Sequence, residues 1–144
     1  MLYHGTELII PYFEQKNGLV FRVQENADGS SSVVVPVGFN TDGGKPREIW
    51  ITNYSSGNAA EMKLILWSNI PEERTPQLLT VLNECNIRYR FVKFLLYHGE
   101  ISMRAALPME LSDDLLGPVA YEYVLHFRSI AHEAHSILLN VLWE

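Results

Sequence analysis

Two histidines stand three positions apart in His132-Glu133-Ala134-His135, and imidazoles at that spacing on a helix can share a metal ion. Zinc hydrolases place their histidines four apart with a glutamate beside the first, so the spacing does not match. A helical wheel turns His132 away from the stripe Phe127/Ile130/Ala134 and leaves His135 at its edge, and no third ligand is suggested by position. The one thiol, Cys85, shares the apolar side of a helix with Leu78 and Leu82, where cysteine behaves as a small hydrophobe. It has no obvious base, and a single cysteine fits a reducing compartment. The chain has no G-x-S-x-G elbow, phosphate loop or dinucleotide fingerprint, and Asp42-Gly43-Gly44-Lys45 reads as a polar turn. The acidic pair Asp113-Asp114 suits a helix N-terminus, whose dipole it complements. No catalytic residue, metal or cofactor is expected.

Size and charge narrow the choice further. At 144 residues the chain is a single domain, long enough to bury its own core without a disulfide or metal. A composition of 47% hydrophobic and 19% charged residues is globular. Against 17 acidic residues the 11 Lys and Arg leave a net charge of -6, which disfavours broad binding to a nucleic-acid backbone. The N-terminus lacks the basic start of a signal peptide, and Pro11 stops the run Leu8-Ile9-Ile10, so a cytoplasmic location is expected. The most apolar stretch, Tyr89 to Tyr97, carries Arg90 and Lys93 and is no membrane span.

The elements that position these residues follow from periodicity. Thr6 is placed to cap a first helix bearing Ile9, Ile10 and Phe13, with Asn17-Gly18 as its stop and Pro11 costing it a hydrogen bond. Leu19, Phe21 and Val23 alternate as in a strand, and Asp28-Gly29 turns the chain back into Val33, Val35, Val37 and Phe39. Pro36 lacks a ladder donor, which places this second strand at an edge or a bulge. Beyond the loop Asn40 to Pro46, Ile49-Trp50-Ile51 and Met62 to Trp67 form another hairpin around Ser55 to Asn58. Pro71-Glu72-Glu73 opens a second helix with the stripe Leu78, Leu82 and Cys85. Tyr89 to Leu96 and Ile101 to Leu107 pair about His98-Gly99. A last helix runs from Ser112 or Leu115 to Leu142, its regular start delayed by Gly117-Pro118. Its stripe is Val119/Ala120, Tyr123, Phe127, Ile130, Ala134, Ile137 and Val141. The order α-β-β-β-β-α-β-β-α predicts an α+β fold with helices packed on an antiparallel sheet.

Register then sorts the faces. A two-residue His98-Gly99 turn sets Leu96 opposite Ile101, Phe94 opposite Met103 and Val92 opposite Ala105 on a core face. The other face receives Tyr89, Phe91, Leu95 and Tyr97, with Lys93 directly opposite Arg104. Cations facing across a ladder repel, so an acid is expected nearby, Glu48 or Glu61. Turning Ile49, Ile51, Met62, Leu64 and Leu66 inward sends Trp50, Tyr54, Ile65 and Trp67 to the same outer face. Rings beside Lys and Arg have the composition of interface anchors. Trp50, Trp67, Phe91, Lys93 and Arg104 are therefore the candidate surface for a protein partner or a second copy, unless the first helix or a curl of the sheet covers it. An RNA platform needs similar residues, but the acidic total weighs against it. The competing reading is a small-ligand sensor or degenerate enzyme with a pocket between the last helix and the sheet, using His126 or His135.

The stretch from Ile70-Pro71-Glu72-Glu73-Arg74 through Leu82-Asn83-Glu84-Cys85-Asn86-Ile87-Arg88-Tyr89-Arg90-Phe91-Val92-Lys93-Phe94 resembles the YbjN-type family, described as putative bacterial sensory transduction regulators. The likeness lies in a helix ending L-N-x-x-N followed by a Y-R-F-V-K-F strand. It extends more loosely over the N-terminal helix, the Asp28-Gly29 hairpin and the long last helix, while His98-Gly99 stands where relatives place an acidic-Gly turn. The resemblance implies the fold of type III secretion chaperones, α-β-β-β-α-β-β-α, here with an extra strand. Those are small, acidic, dimeric proteins that bind extended segments of other proteins. It therefore implies a non-enzymatic, cytoplasmic, homodimeric protein-binding or regulatory module. Asn83 and Asn86, three apart at the helix end, suit a structural role, bonding the exit turn into the next strand.

Overall fold

Helix α1 (His4–Glu14) leads into β1 (Arg22–Glu25) and β2 (Ser31–Asn40), then β3 (Pro46–Asn53) and β4 (Ala60–Trp67). A 3-10 turn (Glu72–Arg74) precedes α2 (Thr75–Arg88), followed by β5 (Lys93–Tyr97), β6 (Glu100–Ala106) and α3 (Asp113–Leu142). The structure, a computed structural model, describes residues 3–40, 46–54, 60–108 and 111–142. The expected turns at Asp42 to Lys45 and Ser55 to Asn58 lie outside them. Among the described residues the fold is α+β: one six-stranded antiparallel sheet, ordered β1-β2-β3-β4-β6-β5, with three helices.

Turn chemistry sets the hairpins. His98 and Gly99 both take positive φ, 50° and 73°, as a two-residue primed turn requires. The ladder accordingly pairs Leu96 with Ile101, Phe94 with Met103 and Lys93 with Arg104, as the spacing predicts. β1 pairs only with Ser31 to Val34, so Pro36 lies past the end of that ladder and at a register shift against β3. Its carbonyl accepts Arg128 Nη2 at 3.0 Å. The first strand starts later than alternation suggests, at Arg22; Leu19 and Phe21 pack on the core from the preceding loop while Val23 is exposed.

Alternate sheet residues, among them Val35, Ile49, Ile51, Leu64 and Met103, are fully buried against Phe13, Leu78, Leu82, Phe127 and Leu138 of the helices. Three helix expectations need correction. Thr6 is not a cap: α1 begins at His4, and the Thr6 hydroxyl is spent on tertiary hydrogen bonds to Ser31 and Asn53. Gly117-Pro118 does not delay α3, which starts at Asp113; one turn in, the proline leaves only a first-turn carbonyl without its helical partner. The buried stripe of α3 is Leu116, Gly117, Ala120, Val124, Phe127, Ala131, Ala134 and Leu138, with the expected Tyr123, Ile130, Ile137 and Val141 on its flanks. Small residues face inward because α3 packs on α1 and α2 as well as on the sheet. A Cβ at Gly117 would stand 2.6 Å from Tyr12 Cβ, so the α1–α3 crossing depends on its absence.

Candidate functional site

Ladder register assembles one row across the entire sheet. Arg22, Val34, Trp50, Lys63, Arg104 and Lys93 are successive neighbours on adjacent strands, on the face away from the helices. With strands about 4.8 Å apart, four cations and an indole share a band roughly 24 Å long. Val34, between Arg22 and Trp50, is fully buried. Trp50 stays half-buried, with the Arg22 guanidinium 5.4 Å from its ring.

Flanking rows supply the acids. Arg22 holds Glu48 through both terminal nitrogens. Lys63 Nζ lies 3.8 Å from Glu100 Oε1, and Arg104 Nη1 lies 3.6 Å from Glu61 Oε1. Of the two acids expected beside the Lys93–Arg104 pair, Glu61 is the one that takes that place. It neutralises only part of the local charge. Among the described residues Lys93 is exposed with no carboxylate in reach, and the buried Arg104 Nε has no acceptor.

A groove of about 900 Å³ opens on this face along β3 and β4, running from Asn26 and Asp28 to Arg47 and Asn69 past Trp50 and Lys63. Its first end is built from short side chains. Ser32 and Thr52 share a hydrogen bond of 2.8 Å, and Asn26 Nδ2 donates to Ser32 Oγ at 2.9 Å. The Ser30 hydroxyl and amide both donate to Asp28, at 2.6 and 2.9 Å, and hold its carboxyl below the ordinary value. On the helix side Thr6 Oγ1 lies 2.7 Å from Ser31 Oγ and donates to Asn53 Oδ1 at 3.0 Å. Sequence reasoning missed these residues; the signal was the run Ser30-Ser31-Ser32 set against Thr52-Asn53, hydroxyls and an amide on both faces of paired strands.

Two of the five candidate surface residues lie elsewhere. β4 carries one extra residue against β6, so Ile65 pairs with Ser102 on the open face while Trp67 pairs with Ile101 on the helix face. Trp67 is 6% exposed, its ring stacked on His135 at 4.5 Å with the Arg47 guanidinium 4.8 Å away. Phe91 precedes β5, where strand alternation does not apply, and packs on α3 against Tyr123 at 4.6 Å and His126 at 5.4 Å. Tyr89 is buried against Phe94, whereas Leu95 and Tyr97 do lie on the open face. The structure thus sets Trp50, Lys93 and Arg104 in one row; Trp67 packs under α3 yet also lines one end of the groove, and Phe91 lies apart from both. The helix–sheet space expected to hold a pocket is filled by Phe127, Ala131, Ala134 and Leu138, with His126 and His135 committed to Phe91 and Trp67.

Asn86 acts on the backbone. Its Oδ1 accepts from the Phe94 amide at 2.6 Å and its Nδ2 donates to the Phe94 carbonyl at 3.1 Å, an amide clamp on the outer edge of β5; Asn83 faces water. Burial of Cys85 pushes its thiol up from the ordinary value, the opposite of nucleophile activation. Among the described residues no three His, Cys, Asp or Glu side chains are grouped to hold a metal ion, and no helix is long and apolar enough to cross a membrane. The sequence model of the YbjN family, described as "Putative bacterial sensory transduction regulator", matches residues 15–119, which span the whole sheet and α2. No curated protein matches the chain.

Proposed function

Because the chain belongs to the YbjN family, whose description is that of a sensory transduction regulator, we propose that it is a non-enzymatic, cytoplasmic, homodimeric module that binds a protein through the open sheet face. The observation that carries this reading is the row Arg22–Trp50–Lys63–Arg104–Lys93, which no helix covers among the described residues. An indole flanked by cations supplies area and charge at little cost in side-chain entropy, the usual make-up of an interface centre. The resemblance to type III secretion chaperones, dimers that hold extended segments, supports the same use of the fold. Sedimentation of the wild type and of Trp50→Ser tests it: the wild type sediments as a dimer or captures a partner, and the variant loses that capacity with its helical content intact. Equal behaviour of the two proteins refutes the assignment.

The groove favours a second reading, a small-ligand sensor, since about 900 Å³ lies within the range of ligand sites. A ligand held only by the folded state raises the melting temperature. A flat thermal-shift response to metals and metabolites removes this reading.

A further inference from the structure

We infer that the open face takes an acidic polypeptide segment, a carboxylate of which bridges Lys93 and Arg104. This rests on the protein-binding reading above and names the chemistry of the partner. Lys93 and Arg104 are direct cross-strand partners, so two like charges are held side by side on β5 and β6. Such pairs destabilise a sheet unless an anion lies between them. The intramolecular anion falls short: Glu61 reaches only Arg104 Nη1, at 3.6 Å, beyond hydrogen-bond distance. Lys93 has no carboxylate in reach among the described residues, and Arg104 Nε is buried without an acceptor. The exposed Lys93 ammonium and the part-exposed Arg104 guanidinium can both donate to an incoming carboxylate, a charge-assisted pairing that Glu61 supplies only at long range. On the adjoining row Ile65 and Leu95 flank Ser102, and they give aliphatic contact beside the charged pair. The net charge of -6 does not forbid an acidic partner, because charges more than about 8 Å away are screened at physiological ionic strength.

The test uses the full chain and a fluorescein-labelled octaglutamate peptide, with octalysine and a Gly-Ser octapeptide as comparators, read by fluorescence anisotropy. Octaglutamate binds the wild type, loses affinity as salt rises, and is preferred over both comparators by about tenfold or more. The double variant Lys93→Glu/Arg104→Glu loses that preference. Lys93→Gln guards against misfolding, since the side chain is exposed: it weakens octaglutamate binding several-fold yet raises the melting temperature, because the like-charge contact is gone. Octaglutamate binding that is absent at low salt, or unchanged in the double variant, or matched by either comparator, overturns the inference. A dimer or captured partner that needs Trp50 but is indifferent to Lys93 and Arg104 overturns it too, and leaves the protein-binding reading standing.

Discussion

Trp67 and Trp50 sit on neighbouring strands of one sheet and end on opposite sides of it. Trp67 packs under α3 against His135, 6% exposed and reaching only the end of the groove, whereas Trp50 lies half-buried in a row of cations that no helix touches among the described residues. The helix-covered face is an apolar core laid down at every second strand position. On the open face Val34 is fully buried, and Ser32 and Thr52 satisfy one another. One face of this sheet is packed as core, and the other carries the row on which the proposed recognition rests.

The widest separation between the two faces is expected on truncating their rings. Trp67→Ser removes a buried ring packed on α3 and costs about 3–5 kcal/mol in urea unfolding, while Phe91→Ser, at a half-buried ring, costs about 2 kcal/mol and Trp50→Ser about 1 kcal/mol. Equal losses at Trp67 and Trp50 would erase the distinction. Next come the close approaches under the helix face. A Cβ at Gly5 meets Asn53 Nδ2 at 2.3 Å, and one at Gly117 meets Tyr12 Cβ at 2.6 Å. Gly5→Ala and Gly117→Ala therefore each destabilise by about 1–3 kcal/mol, measured by thermal melting, despite the better helix propensity of alanine. Smaller still is the edge effect: Asn86→Ala unpairs the Phe94 amide and carbonyl and costs about 1–2 kcal/mol, with faster amide exchange confined to β5.

The last distinction is one of pH. Burial, and then contact with Glu133, pushes the Tyr89 phenol up to about 12 from its ordinary 10.0. Between those values the unfolded chain has released the proton that the folded chain retains. The contribution of Tyr89 to stability is thus fully present below pH 10 and is lost as pH rises towards 12. Tyr89→Phe makes stability fall less steeply over that range, whereas Tyr97→Phe, at a residue 69% exposed on the open face, leaves the slope as it is.

Much of the architecture was legible from residue order. The His98-Gly99 hairpin came out in register because both turn residues accept positive φ and the apolar pairs fix which residues face inward. The stripe Leu78, Leu82 and Cys85 was found because helix periodicity is local. Of the candidate surface, Trp50, Lys93 and Arg104 share the open face because plain alternation holds from Ile49 to Asn53, from Ala60 to Ile65, and along β5 and β6. Trp67 was misplaced because a bulge is a property of two strands together: nothing in Leu66-Trp67 says that β6 will supply one residue fewer. Thr6 looked like a cap because its competing partners, Ser31 and Asn53, are 25 and 47 positions away.

Residue order alone determined the elements, their succession and the inward-facing side of each regular strand, because helix and strand periods are set by the backbone within a few residues. It also set a like-charge pair across β5 and β6, since a two-residue turn leaves no freedom of register. Only tertiary structure decided which aromatic residues were left outside, how the helices crowd onto one face, and where the acids fall around the cationic row. Those outcomes depend on contacts between segments far apart in sequence, where one extra residue in a strand reverses the side to which every later side chain points.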